Sequence, residues 1–348
     1  MSFAVALFPV VLYIFVVYTL DNFSLVGIRD LMLLVGAGLL AAAACFGLFR
    51  LTDPFVSERV SDSLYPILEE AVKALPLWWL ARRKKIAFFI DSVICGAAVG
   101  GGFSILENVL YLLMGNLGIG TALFRGLEVA LIHMGCSAIV AVALMFTVRL
   151  LERRHARLPV KKSDITMSLF LFFVAAILHI LHNYLHPDPL LQFVVVFGSL
   201  GGLLVWVYQY DGDMIHRWLD KGLDKQVDLF RSIQEGNLSQ TKTGEFLLSV
   251  KDSFTPEMFF DVICYVKLNV ELSIAAKSRF MLREAKLDLP LEEEQARNIL
   301  AQYEEYRLLE KRLGQSARIT IAPVVKFYPA DRKALDDLLA ECAAWRKQ

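Results

Sequence analysis

The feature that most constrains this chain is a series of long apolar runs in its first 210 residues. A bilayer core of roughly 30 Å requires about 20 apolar residues per helical span, whereas a soluble domain has no need for such repeated runs. The pattern predicts an all-α, polytopic transmembrane bundle of about seven spans. We place these spans at residues 3–20, 30–50, 63–80, 86–114, 121–149, 166–186 and 190–210.

Basic residues orient the predicted bundle. Lys and Arg cluster at 82–85, 149–162 and 217–221, whereas the loops 115–120 and 187–189 contain neither. By the positive-inside rule, the basic regions face the cytoplasm, and seven spans then place the N-terminus outside. Segment 63–80 is the least hydrophobic span, and if it were re-entrant the N-terminus would lie inside. The prediction is a multi-pass protein of the cell (inner) membrane with a cytoplasmic C-terminal domain.

Composition divides the chain into a transmembrane bundle, 1–210, and a tail, 211–348, of ordinary soluble composition. The tail is expected to be helical, since Thr255, Pro256 and Glu257 form a helix start and two later stretches repeat apolar residues at helical spacing. It shows no catalytic motif, which favours a regulatory or structural role. No basic stripe with interleaved aromatics supports nucleic-acid binding. The five cysteines show neither a disulfide framework nor a thiolate zinc motif.

Ionisable residues within the predicted spans are the strongest functional signal. Each costs about 2.5–3.5 kcal/mol on insertion scales, so each needs a physical reason. Four spans contain such residues: Glu69, Glu70 and Lys73 on the third, Glu107 on the fourth, His133 on the fifth, and His179 with Asn183 on the sixth. Spacings of three and four residues allow the polar groups within each span to share one helix face.

The depth of these residues indicates a single site. At about 1.5 Å per residue, the predicted distances from the basic ends are about 33 Å for Glu107, 24 Å for His133, 25 Å for His179 and 20 Å for Glu69. All four residues then fall in the outer half of the bilayer, provided that segment 63–80 crosses it. Interhelical hydrogen bonding alone is the plain alternative, but it needs fewer ionisable groups than the five glutamates and histidines in this set.

Two kinds of chemistry fit this set of side chains. Carboxylates and imidazoles can supply a general base and its partner, and Asn183 could donate to a tetrahedral oxyanion. The same groups could hold a divalent metal such as zinc, with Glu107, His133 and His179 as three ligands and one open position. Either route produces an activated water. A metal-ion or proton-coupled transporter and a non-catalytic membrane scaffold are the alternatives, although no internal repeat supports a transporter.

Four motifs in sequence order resemble those of the PrsW family of bacterial membrane proteases, which is related to the CAAX prenyl endopeptidases. They are EExxK at Glu69–Lys73, FxxxE at Phe103–Glu107 with Tyr111 following, HxxxS at His133–Ser137, and HxxxN at His179–Asn183. The resemblance covers about residues 60–190. It implies regulated proteolysis of a membrane-anchored protein, such as an anti-sigma factor, near the extracytoplasmic face. It also implies Glu69 or Glu70 as the base, Glu107 and His133 as a supporting or metal-binding pair, and His179 with Asn183 as an oxyanion or ligand pair.

Overall fold

The computed structural model describes residues 2–19, 26–83, 86, 88–115, 118–155, 159, 161–185, 189–216, 218–219, 222–285, 287, 289–325 and 329–345. Parts of the basic clusters and of the predicted outer loops (84–85, 116–117, 156–158, 160, 186–188, 217 and 220–221) lie outside these residues. The described residues are overwhelmingly helical and contain no strand, which confirms the all-α class. The chain divides into two compact units, Met1–Asp211 and Gly212–Gln348.

The first unit consists of helices that match the seven apolar segments. They are α1 (Ser2–Thr19), α2 (Ile28–Thr52), α3 (Glu58–Arg82), α4 (Phe89–Met114), α5 (Ile119–Phe124) with α6 (Ala130–His155), α7 (Lys162–Leu185) and α8 (Pro189–His216). A π turn, Arg125–Val129, joins α5 to α6. The helices are long enough to place side chains from different spans at a common depth.

Five helical segments in the described part of the chain are long and apolar enough to cross a membrane: Ser2–Thr19, Ile28–Phe55, Phe89–Met114, Ile119–Leu151 and Lys162–Asn183. Helices α3 and α8 are not among them. A candidate span of 18 residues carries at most two charged residues, whereas every 18-residue stretch of α3 includes the three charged residues Glu69, Glu70 and Lys73. That α3 and α8 cross the bilayer therefore remains a prediction.

Helices α4 and α6 form the centre of the first unit. Residues 89–104 of α4 and nearly all of residues 130–146 of α6 are buried, and α4 also packs against α2. A Cβ added at Gly100 would lie 2.3 Å from the carbonyl oxygen of His133, and one at Gly102 would lie 2.1 Å from that of Val35. The missing side chains of α4 therefore allow its neighbours to approach at backbone distance, as is common where helices pack in membranes. Gly100 in particular sets the position of His133.

The start of α4 is held by a carboxylate from the end of α8. Asp211 Oδ2 accepts a hydrogen bond of 2.6 Å from the Ile90 backbone N–H, and Asp91 accepts one from the Phe88 N–H. Anionic groups are favourable at helix N-termini because the N–H groups there have no partner within the helix. This contact ties the last helix of the unit to its central one.

The second unit contains α9 (Gly222–Gln234), α10 (Lys242–Ser249), α11 (Pro256–Glu284), α12 (Glu293–Ile321) and α13 (Pro329–Trp345). The predicted start of α11 is confirmed, because the Thr255 hydroxyl accepts from the Met258 N–H. Gly314, at φ 69°, interrupts α12 in a conformation that glycine adopts without strain. The core includes Leu247, Val262, Leu272, Ile321 and Leu338.

The second unit also contains a buried polar contact that involves Lys277, Asp331 and Trp218. Lys277 Nζ lies 3.3 Å from Asp331 Oδ1, and the Trp218 indole N–H donates to the same oxygen at 2.9 Å. Burial lowers the pKa of Lys277, and the neighbouring Asp331 carboxylate opposes that shift. The contact joins α11 to the start of α13.

Candidate active site

Four helices bring six of the seven predicted site residues into contact with one another. Helix α3 provides Glu69, Glu70 and Lys73, α4 provides Glu107, α6 provides His133, and α7 provides His179. The imidazole rings of His133 and His179 lie edge to face, with centroids 4.9 Å apart. The seventh residue, Asn183, is half-buried one helical turn beyond His179. It lines the same cavity, but within the described part of the chain no hydrogen bond joins it to the cluster.

Glu70 and Lys73 form the most deeply buried part of the cluster. Glu70 is 1% exposed and Lys73 is fully buried. Lys73 Nζ lies 2.6 Å from Glu70 Oε1 and 4.3 Å from the centroid of the Phe103 ring. His179 Nδ1 lies 3.0 Å from Glu70 Oε1, and the Ser137 hydroxyl donates to Glu70 Oε2 at 3.4 Å. Glu70 is therefore engaged on both oxygens and holds groups from three helices.

His133 is held between a carboxylate and an ammonium group. Its Nε2 lies 2.8 Å from Glu107 Oε2, and its Nδ1 lies 3.1 Å from Lys73 Nζ. An ammonium group can only donate, so Nδ1 is the accepting nitrogen and Nε2 carries the hydrogen that it donates to Glu107. Glu107 thus orients the imidazole in the way that a carboxylate orients a ligand or catalytic histidine.

Glu69 differs from Glu70 in what surrounds it. Its Oε2 lies 3.6 Å from His179 Nε2 and 3.9 Å from His133 Nδ1, and it is buried without a hydrogen-bond partner among the described residues. His179 Nδ1 is engaged with Glu70, so it is the other ring nitrogen, Nε2, that faces the Oε2 of Glu69. An acceptor facing another acceptor requires a proton or a cation between them.

The donor atoms of Glu69, His133 and His179 all lie within 4.8 Å of one another. Ligand atoms of a tetrahedral zinc site are about 3.4 Å apart for bonds of about 2.1 Å, close to the two distances measured from Glu69 Oε2. This set differs from the predicted one by containing Glu69 in place of Glu107. Glu70, Cys136 and His179 form a second such group, but the Lys73 ammonium lies against Glu70 there.

A cavity of about 770 Å³ reaches this cluster. Its lining comes from α2 and the turn that follows it, from α3, α4, α5 and the π turn, and from α6 and α7. Glu69, Glu107, His133 and His179 line one part, and Arg50, Asp53, Asp62 and Tyr65 line the part formed by the end of α2 and the start of α3. Those ends belong to the predicted outer side, so the geometry is consistent with access from that side.

Sequence reasoning did not find every residue of the site. Arg125 lies against the cluster with its Nη2 3.2 Å from Glu107 Oε2, although none of the four motifs includes it. Cys136 lies in the second donor group. His182 lines the cavity, and His186 lies outside the described residues. Arg125 and Glu128 are the two charged residues of the largely apolar stretch 119–148. This was the available signal for Arg125, but its partners lie on another helix.

Comparison with known proteins identifies the family. A model of the PrsW family intramembrane metalloproteases matches residues 28–209, which include all seven predicted site residues and more than half of the chain. No curated protein and no solved structure gave a significant match. The resemblance of the four motifs is thereby confirmed. The chain belongs to the PrsW family of intramembrane metalloproteases.

Proposed function

We propose that this protein is an endopeptidase that hydrolyses a peptide bond of a membrane-anchored protein near the extracytoplasmic face, with an anti-sigma factor as one class of substrate. The observation that carries the proposal is the unpartnered, buried Oε2 of Glu69, which lines the cavity and faces two imidazole nitrogens. The family match supports proteolysis within the membrane. Neither the match nor the geometry favours the transporter alternative.

The residues divide into a reacting set and an orienting set. Glu69 borders the cavity and, without a metal, would take the proton from the attacking water. Glu70 is enclosed by Lys73, His179 and Ser137, so its part is to orient His179 rather than to meet substrate. Glu107 has the same orienting part toward His133. Asn183 lines the cavity as an amide donor for a developing oxyanion.

The donor set also fits a divalent metal. Glu69, His133 and His179 would hold it, and Glu107 and Glu70 would support the two imidazoles from behind. The chemistry that such a metal supplies is Lewis-acid activation of water and of the peptide carbonyl. In that case Glu69 would be a ligand instead of a free base. The Lys73 ammonium group would also have to move away from His133 Nδ1, because that nitrogen would bind the metal through the lone pair that Lys73 now contacts.

Cleavage in proteoliposomes tests the proposal. The full chain is reconstituted with a single-span test substrate, and wild type is compared with Glu69→Gln, Glu70→Gln and His179→Ala, each with and without a strong chelator. We expect each variant to cut at least about 100-fold more slowly, because general acid–base groups contribute about 10²–10⁴ in rate. Mass spectrometry of the fragments locates the cut, which we expect on the extracytoplasmic side.

Glu128→Gln is the matched control, since Glu128 is a buried glutamate of the same unit that does not line the cavity. It should cut at a rate close to wild type. Loss of cutting on chelation, with restoration by added zinc, would select the metal route, and unchanged cutting would select the glutamate-activated one. Equal rates in wild type and all three site variants would show that this cluster is not the active site.

A further inference from the structure

Arg125 occupies an unusual place beside the cluster. It is the first residue of the π turn between α5 and α6, and such turns are often found at functional sites. Its side chain is 15% exposed and lines the cavity together with Glu69 and Glu107. None of the four family motifs includes it. Arg125 is therefore a cation within the site to which the proposed mechanism assigns no role.

The guanidinium group is held on several sides. Its Nε donates to Asn108 Oδ1 at 3.1 Å, and its central carbon lies 3.7 Å from the centroid of the Tyr111 ring. All three partners, Glu107, Asn108 and Tyr111, lie on α4. An arginine fixed in this way needs little further ordering to bind a ligand, and this lowers the entropic cost of binding.

The hydrogen-bonding capacity of Arg125 is not used up. A guanidinium group has five N–H donors, and the hydrogen bond to Asn108 occupies one. Nη2 lies 3.2 Å from Glu107 Oε2, but it makes no hydrogen bond within the described residues although it is buried. Glu107 thus balances the charge of Nη2 without completing a hydrogen bond, and a buried N–H group whose hydrogen bond is not made is costly. A cavity occupant that supplies an acceptor oxygen would remove that cost.

The charge of the cavity indicates which acceptor fits. Its lining includes four carboxylates, Asp53, Asp62, Glu69 and Glu107, against two guanidinium groups, Arg50 and Arg125. A further carboxylate would enter a lining that is already acidic, and like charges at close range disfavour binding. A neutral acceptor does not meet this repulsion. The backbone carbonyl is the neutral acceptor that every peptide carries.

We propose that Arg125 binds a backbone carbonyl oxygen of the peptide in the cavity and thereby sets which peptide bond lies against Glu69. The inference rests on the proposed function, since it assumes that the cavity receives a peptide. It makes Arg125 a substrate-binding residue that determines the cleavage position. The competing role is purely structural, with Arg125 orienting Glu107 alone.

Binding of synthetic single-span peptides to the inactive Glu69→Gln protein tests this without requiring cleavage. The peptides carry a thioamide at one backbone position at a time, which replaces the carbonyl oxygen by the weaker acceptor sulfur. In the protein that retains Arg125, we expect one position to weaken binding several-fold. Adding Arg125→Gln should weaken binding of the all-amide peptide by about tenfold and abolish the penalty at that position. Arg125→Lys, which keeps the charge, should give an intermediate affinity.

Arg82→Gln is the control, because Arg82 is exposed and does not line the cavity. Thermal unfolding verifies that each variant is folded. Thioamide penalties that are equal with and without Arg125 would assign it the structural role and overturn the inference. A loss of affinity confined to peptides with an acidic side chain would also overturn it, in favour of carboxylate binding. If these peptides bind as expected but wild type cuts nothing, the proposed protease activity is wrong and the carbonyl contact stands.

Discussion

At the scale of single residues, the two adjacent glutamates of α3 have different surroundings. Glu70 has contacts with Lys73, His179 and Ser137, whereas Glu69 borders the cavity and has no hydrogen-bond partner in the described structure. The EExxK motif presents both as candidate bases, and nothing in their spacing separates them. The rotation of α3 against α6 and α7 separates them, because it directs one carboxylate into the packed interior and the other toward the cavity.

Lys73 gives the sharpest prediction at this scale. Lys73→Met keeps the apolar volume but leaves the Glu70 carboxylate buried without its counter-ion, which typically costs about 3–5 kcal/mol. We expect a large drop in unfolding stability in detergent and loss of cleavage. The double variant Lys73→Met with Glu70→Gln should recover much of the stability, because no unpaired charge remains, but not the cleavage. Equal stability of the single and double variants would show that the buried charge is not the cause.

At the scale of helices, backbone contact between α4 and α6 positions the site. Gly96 and Gly100 face Ser137 and His133, and an added Cβ at either would lie within 2.6 Å of backbone atoms. Helical spacing in the sequence predicts that Glu107 shares a helix with these glycines, but it does not predict how closely α6 approaches. That approach is what brings His133 within 2.8 Å of Glu107.

Gly100→Ala should disturb the site without changing any polar side chain. The new methyl group would force α4 and α6 apart at His133, and overpacking of this kind typically costs about 1–3 kcal/mol. A shift of about 1 Å in catalytic geometry can cost about 100-fold in rate. We expect cleavage to fall at least about tenfold. Gly47→Ala, on α2 with nothing within 4 Å, is the matched control and should cut normally. A normal rate for Gly100→Ala would show that the close approach is not required.

At the scale of the whole molecule, the chain combines a bundle that contains the candidate site with a helical unit that has its own core. The matched family region, residues 28–209, lies within the bundle, and Gly212–Gln348 lies entirely beyond it. We therefore keep the proposal that the second unit regulates or supports the protease. Its cytoplasmic location stays a prediction, which rests on the basic clusters at 149–162 and 217–221.

Cysteine labelling measures this orientation. In a Cys264→Ala background, Ser253→Cys lies in the second unit and Thr121→Cys on α5, and both replaced side chains are exposed. We expect a membrane-impermeant maleimide added to intact cells to label the cysteine at position 121 and to label position 253 only after permeabilisation. The opposite pattern would place the site at the cytoplasmic end of the bundle and contradict the predicted orientation.

The sequence by itself determined the all-α class, the apolar segments, the start of α11 and the polar residues that meet in the bundle. These depend on hydropathy, capping and helical spacing, which are local properties. Only the tertiary structure decided that Glu69, and not Glu107, completes the donor set with His133 and His179, that Glu107 and Glu70 contact the far sides of those imidazoles, and that Arg125 contacts Glu107. Periodicity gives the face of each helix, whereas the rotation and approach of neighbouring helices depend on how their surfaces pack together.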